Sequence, residues 1–126
     1  MFSIVVDQTH TVLLIEFTEQ VLPQDVADLD RLLAPIAATN AIDKVVVDLR
    51  RVSTIDLPLE DVMQRARSNP SLPGRKMVFV AAGGTTLKVG QQFAAQRASK
   101  GYGEIPVVPD LEAAWRVLEI ETPMFF

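Results

Sequence analysis

The run Lys44 to Leu49, KVVVDL, is almost continuously apolar and rich in β-branched side chains. Such a stretch suits a central strand covered on both faces, so it demands layers of structure on either side. A second run, Met77 to Ala82 (MVFVAA), reads the same way. Both lead through breaker-rich segments into amphipathic stretches. Strands alternating with helices imply an α/β domain with parallel neighbours joined by right-handed crossovers. The 126 residues suit one domain. A chain of this size buries roughly two-thirds of its unfolded surface and holds a core without staples.

The flanking segments complete the pattern. Phe2 to Val6 (FSIVV) and Thr11 to Phe17 (TVLLIEF) are β-prone runs separated by Asp7-Gln8-Thr9-His10, which reads as an antiparallel hairpin. Pro23 opens a helix, and Val26, Leu29, Leu33 and Ile36 share one of its faces. Asp25, Asp28 and Asp30 lie toward its positive end, where carboxylates stabilise and solvate it. Pro35 is expected to kink this helix or end its regular part.

Leu57-Pro58-Leu59-Glu60-Asp61 begins a second helix, with Pro58 near its first position and Asp56 at, or one residue before, the N-cap. Val62 and Met63 carry its inner face, and Arg65 and Arg67 look outward. Asn69 to Gly74 is a loop. Gly83-Gly84-Thr85 turns into a helix over about Thr86 to Lys100, with Leu87, Gly90, Phe93 or Ala94, and Arg97 along one stripe, Val89 beside it, and Gly101 at the left-handed C′ position. Ile105 to Val108 is a short last strand, and Asp110 caps a final helix, Leu111 to Leu118.

The expectation is a single α/β domain over 1–126. It has a mixed sheet of about five strands, an N-terminal hairpin followed by alternating α and β, with helices packed on it. Residues 119–126 form an apolar tail. Burying Met124, Phe125 and Phe126 would be worth about 1.5–3 kcal/mol each. They are expected to cover the protein's own sheet or helices, or else to form a homodimer contact.

Composition excludes several chemistries. The absence of cysteine rules out a disulfide framework, a thiolate metal site and a Cys nucleophile. The lone histidine, His10, makes a His-based metal site or triad improbable; it is a solvated turn residue or a proton switch. The formal net charge of −4 argues against nucleic acid as a partner. A content of 48% hydrophobic and 22% charged residues fits a globular protein and not a disordered one. No apolar run approaches the roughly 20 residues of a spanning helix, and Met1 to Asp7 has no basic n-region. A cytoplasmic protein is expected, with no cofactor and no metal cluster.

In open α/β sheets, ligands and partners sit off the carboxyl ends of the strands. Two loops leave such ends, Val52 to Leu57 and Ala82 to Thr85. Gly83 and Gly84 offer backbone amides to an anion or simply permit a tight turn, and Thr85 fits an N-cap. They lack the spacing and the Lys of a P-loop. Ser53 and Thr54 have no base beside them, so hydrolytic chemistry is disfavoured. Arg50 and Arg51 read as a solvated pair or as a positive edge for an acidic partner.

The stretch Lys44 to Asp56, KVVVDLRRVSTID, resembles the central strand and loop of the STAS family, the fold of bacterial anti-sigma-factor antagonists and sulfate-transporter cytoplasmic domains. Asp48, Leu49, Val52, Ile55 and Asp56 stand at the matching positions. Ile105 to Leu118, IPVVPDLEAAWRVL, is similar to that family's last strand and helix. The resemblance implies a non-enzymatic regulatory module. It would dock Ser53, Thr54, Asp56, Leu57, Glu60 and Asp61 onto a regulatory protein such as a kinase-like anti-sigma factor. In the antagonists a phosphorylated Ser or Thr follows the loop Asp; here that position is Leu57, which cannot accept phosphate. Lipid-binding relatives with a CRAL-TRIO-like pocket imply the alternative, a carrier of a small apolar ligand held between the sheet and the Thr86 to Lys100 helix.

Overall fold

A computed structural model of the chain describes every residue except Met124 and Phe126. The strands are β1 (Phe2–Asp7), β2 (Val12–Val21), β3 (Lys44–Ile55), β4 (Lys76–Val80) and β5 (Val107–Val108). The helices are α1 (Pro23–Thr39), α2 (Leu59–Arg67), α3 (Gly84–Ser99) and α4 (Leu111–Val117). The sheet order is β1-β2-β3-β4-β5. β1 runs antiparallel to β2, and every other neighbouring pair is parallel. This is the mixed five-stranded sheet that the alternation of elements predicts.

Strands added in sequence order by right-handed crossovers put their connecting helices on one face. The core divides accordingly. Leu13, Ile15, Phe17, Val45, Val47 and Phe79 face one way and pack with Leu29 and Leu33 of α1 and Phe93 of α3. Val12, Leu14, Val46, Val78 and Val80 face the other way, under Ala114, Trp115 and Leu118. The period-two alternation of β2 and β3 therefore feeds two separate apolar layers. Phe125 packs on the second layer with its ring 6.0 Å from Trp115. That part of the tail covers the protein's own sheet; Met124 and Phe126, the other residues expected there, lie outside the described residues.

Several local expectations are corrected. α1 runs through Pro35 to Thr39 as one helix, because its apolar face, Leu29 and Leu33 above all, stays anchored on the sheet. β3 does not end at Leu49 but continues to Ile55. α2 begins at Leu59, with Pro58 rather than Asp56 at the N-cap position. Backbone turns replace the missing side-chain cap: the N–H groups of Asp61 and Val62 donate to the Pro58 carbonyl. Thr85 is likewise no cap, since α3 begins one residue earlier; Thr86 Oγ1 donates to the Gly83 carbonyl at 3.1 Å.

The two remaining caps follow expectation. Asp110 accepts a hydrogen bond from Ala113 N–H at 2.7 Å. Gly101 takes φ +77°, with its N–H on Ala98 O and that of Tyr102 on Arg97 O, a Schellman closure of α3.

Candidate functional site

The overhang of β3 shapes the first candidate region. The last β3–β4 pair is Asp48–Val80, so Leu49 to Ile55 bond only to β2. Two register shifts interrupt this ribbon. Glu16 and Thr18 pair with Asp48 and Arg51, and Glu19 and Gln20 pair with Val52 and Thr54. Each shift inserts one extra residue into β3, and the second leaves Ser53 opposite no partner. Such bulges bend a strand and re-aim its side chains.

The polar residues that suggested a loop thus form a bent two-stranded ribbon standing beyond β4. Asp56 N–H closes it by donating to Val21 O at 2.8 Å. Ser53, Thr54 and Asp56 are exposed, as are Glu60 and Asp61 in the first turn of α2. Chain connectivity brings all five, with Leu57, to one end of the sheet.

Leu57 differs from the rest. It is half-buried, packs against the core and lines a partly open cavity. The exposed apolar side chain here is Leu59, 51% accessible. Leu59 shares the helical stripe of Val62, Met63 and Ala66 but, as the first residue of α2, stays exposed.

Charge is unevenly neutralised around this surface. Asp48, only 1% exposed, accepts from Arg50 backbone N–H at 3.0 Å and from Arg50 Nε and Nη2 at 3.0 and 2.9 Å. This bidentate pair holds the Arg50 guanidinium even more firmly protonated than usual. Arg51 reaches Glu16 at 3.3 Å. Arg50 and Arg51 are both exposed, as the solvated-pair reading expects, but each has a carboxylate partner, so neither offers a free positive edge. Glu60 is paired with Arg67 at 2.8 Å. Among the described residues, no ion pair engages Asp56 or Asp61. The net character is acidic, around one exposed leucine.

Gly83, Gly84 and Thr85 are exposed at the connection leaving β4. Gly84 has φ +67°, the left-handed conformation that a β-carbon disfavours. The pair thus carries a sharp turn into α3.

A second region lies beneath the helices. A partly open cavity of about 160 Å³ lies between the sheet and α1, α2 and α3. Its walls include Phe17, Leu33, Val47, Phe79, Gly90 and Phe93. Arg65 and Arg97 line its edge, and both also line a polar recess with Asp30, Asp61, Ser68 and Asn69.

Arg65 does not look outward as expected. It donates from Nη1 and Nη2 to Asp30 at 2.8 and 2.6 Å, joining α2 to α1. That hydrogen bonding holds the Asp30 carboxyl below the usual carboxylate range, with burial opposing it. Arg97 is 7% exposed, and its guanidinium lies 4.9 Å from the Phe93 ring centroid and 5.9 Å from that of Tyr102. Its Nε is buried with no hydrogen-bond partner among the described residues. Burial, then the charge of Arg65, lower its affinity for the proton. The sequence places Arg97 on one stripe of α3 with Leu87 and Gly90 and gives no sign of its burial or isolation.

At the hairpin turn, His10 Nδ1 lies 2.8 Å from Asp7 Oδ2, so this histidine is tied down rather than simply solvated. No group of three or more His, Cys, Asp or Glu among the described residues could hold a metal ion. No helix among them is long and apolar enough to cross a membrane.

No family model and no curated protein matches the chain. Solved structures do. The unphosphorylated anti-sigma factor antagonist SpoIIAA aligns with a TM-score of 0.63 at 18% identity, covering 97% of this chain and all of that one. The phosphorylated form of SpoIIAA, a Bacillus cell fate determinant, aligns with a TM-score of 0.57 at 17% identity, over 93% of this chain and 99% of that one. An uncharacterised protein from Shewanella loihica with a SpoIIAA-like fold aligns with a TM-score of 0.56 at 15% identity, over 94% and 92% of the two chains. The hairpin, three crossovers and closing helix of this chain therefore make a SpoIIAA-like, STAS-type fold.

Proposed function

We propose that the protein is a cytoplasmic, non-enzymatic regulatory module that docks a partner protein through the β3 overhang and the first turn of α2. One observation carries the reading. Leu59 is an exposed apolar side chain flanked by two carboxylates, Asp56 and Asp61, that have no ion-pair partner among the described residues, at the end of a SpoIIAA-like sheet. An apolar anchor within a charged rim is the usual anatomy of a docking patch. Ser53, Thr54 and Glu60 extend the rim. The complementary face would be basic around an apolar pocket, with a kinase-like regulatory protein as the partner class that the anti-sigma factor antagonist suggests.

Leu57 acts from beneath, holding the connection against the core, so its replacement would report on folding as much as on docking. The better test replaces Leu59 by Lys and Asp56 by Lys, separately. Each variant should keep the wild-type circular dichroism and melting temperature, because both positions are exposed. A regulatory protein retained by the immobilised wild type should be lost from Leu59→Lys and weakened, in a salt-sensitive way, by Asp56→Lys. Equal retention by all three proteins rejects this surface.

A further inference from the structure

We infer that the cavity under the helices is a binding site for a small amphipathic monocarboxylate, with Arg97 as the headgroup ligand. This goes beyond the docking reading and stands independently of it. Three observations converge. The cavity is mostly apolar, floored by the sheet and flanked by three helices, and opens on one side. At 160 Å³ it is about the size of engineered cavities of about 150 Å³ that take up benzene. An alkyl or aryl group of roughly six carbons fills such a space.

At the junction with the polar recess stands Arg97, a residue 7% exposed, whose Nε is buried with no hydrogen-bond partner. No carboxylate among the described residues lies within ion-pair distance of Arg97. A buried cation without an anion is costly and is ordinarily paired. The stacked rings of Phe93 and Tyr102 hold the guanidinium in place without using its in-plane donors.

The neighbouring charges set the ligand's valence. Arg65 is already engaged on both oxygens of Asp30, and Ser71 Oγ donates to the same carboxylate at 3.0 Å. Asp61 also lines the recess but makes no ion pair with Arg97, so the Arg97 guanidinium remains available to one carboxylate. A carboxylate meets the planar fork of an arginine side-on, through two parallel hydrogen bonds. The apolar tail would then lie against Phe93, Phe79, Gly90 and Leu33, and the head would face the recess lined by Ser68 and Asn69.

The test uses octanoate and, as its uncharged counterpart, octanol, titrated calorimetrically into the wild type and an Arg97→Met variant. Octanoate should bind the wild type more tightly than octanol and raise its melting temperature. Arg97→Met should weaken octanoate by about 10- to 100-fold, the worth of hydrogen bonds to a charged group, and change octanol by less than about threefold. Without ligand, the variant should melt at or above the wild-type temperature, because an isolated buried charge has been removed. That melt separates loss of the ligand site from loss of the fold. The proposal is overturned if octanoate fails to bind at millimolar concentration, if octanoate and octanol bind the wild type alike, or if Arg97→Met binds octanoate as the wild type does.

Discussion

Arg65 and Arg97 flank one recess in opposite electrostatic states, and the difference is measurable. Arg65 holds the Asp30 carboxyl below the usual range, so Asp30 contributes stability above its unfolded value of about 3.9 and loses it as pH falls through the lower folded value. The Asp30 side chain is 38% exposed, and solvent screening limits the contribution to under about 1 kcal/mol. Asp30→Asn should therefore be slightly less stable than the wild type at pH 7, with the deficit shrinking toward pH 2. Urea unfolding at the two pH values checks this. A deficit that stays constant with pH would deny the ion pair its role. At this scale the sequence was least legible. Asp30 reads as a helix-end carboxylate and Arg65 as a solvent-facing cation; the two stand thirty-five residues apart in sequence, and only the folded chain brings them together. Leu57, expected at the docking surface, is partly buried, while its neighbour Leu59 is the exposed one; the sequence alone does not separate the two.

At the scale of elements, glycine positions show which local rules hold. Gly101 closes α3 at φ +77°, a conformation that costs an L-residue about 1–2 kcal/mol. Gly90 sits in the same helix with ordinary backbone, and a β-carbon there would meet Phe79 Cδ2 at 3.7 Å and Val107 Cγ1 at 4.0 Å, normal contact distances. Gly101→Ala should lower stability by about 1 kcal/mol, and Gly90→Ala should raise it by about 0.5–1 kcal/mol. Chemical denaturation of the pair checks both signs. The C′ glycine and the Asp110 cap were legible because their chemistry is local. The length of β3 was not, because RRVSTI is polar and pairs on only one side; its strand character comes from β2, a partner about thirty residues away in sequence. Pro35 misled in the same manner: loss of one backbone donor was outweighed by tertiary anchoring of the apolar face of α1.

Over the whole molecule, the order of strands determines how the two apolar layers are covered. α1, α2 and α3 share one face, whereas among the described residues α4 and the segment after it cover the other. Trp115, 6% exposed, is the largest side chain on that second layer. Trp115→Ala should cost about 3–5 kcal/mol, a large share of the roughly 5–15 kcal/mol that holds such a domain together. Because it is the chain's single tryptophan, far-UV circular dichroism rather than fluorescence must follow the transition. A loss below about 1 kcal/mol would mean that α4 is not the lid of that face.

The same arrangement has a consequence for synthesis. A ribosome releases every strand and the first three helices before α4. At roughly 5–20 residues per second, the growing chain completes one layer while Val12, Leu14, Val46, Val78 and Val80 still face water. For that interval the nascent protein is sticky on one side only, and escape from chaperones and from its own neighbours waits on the emergence of one short helix.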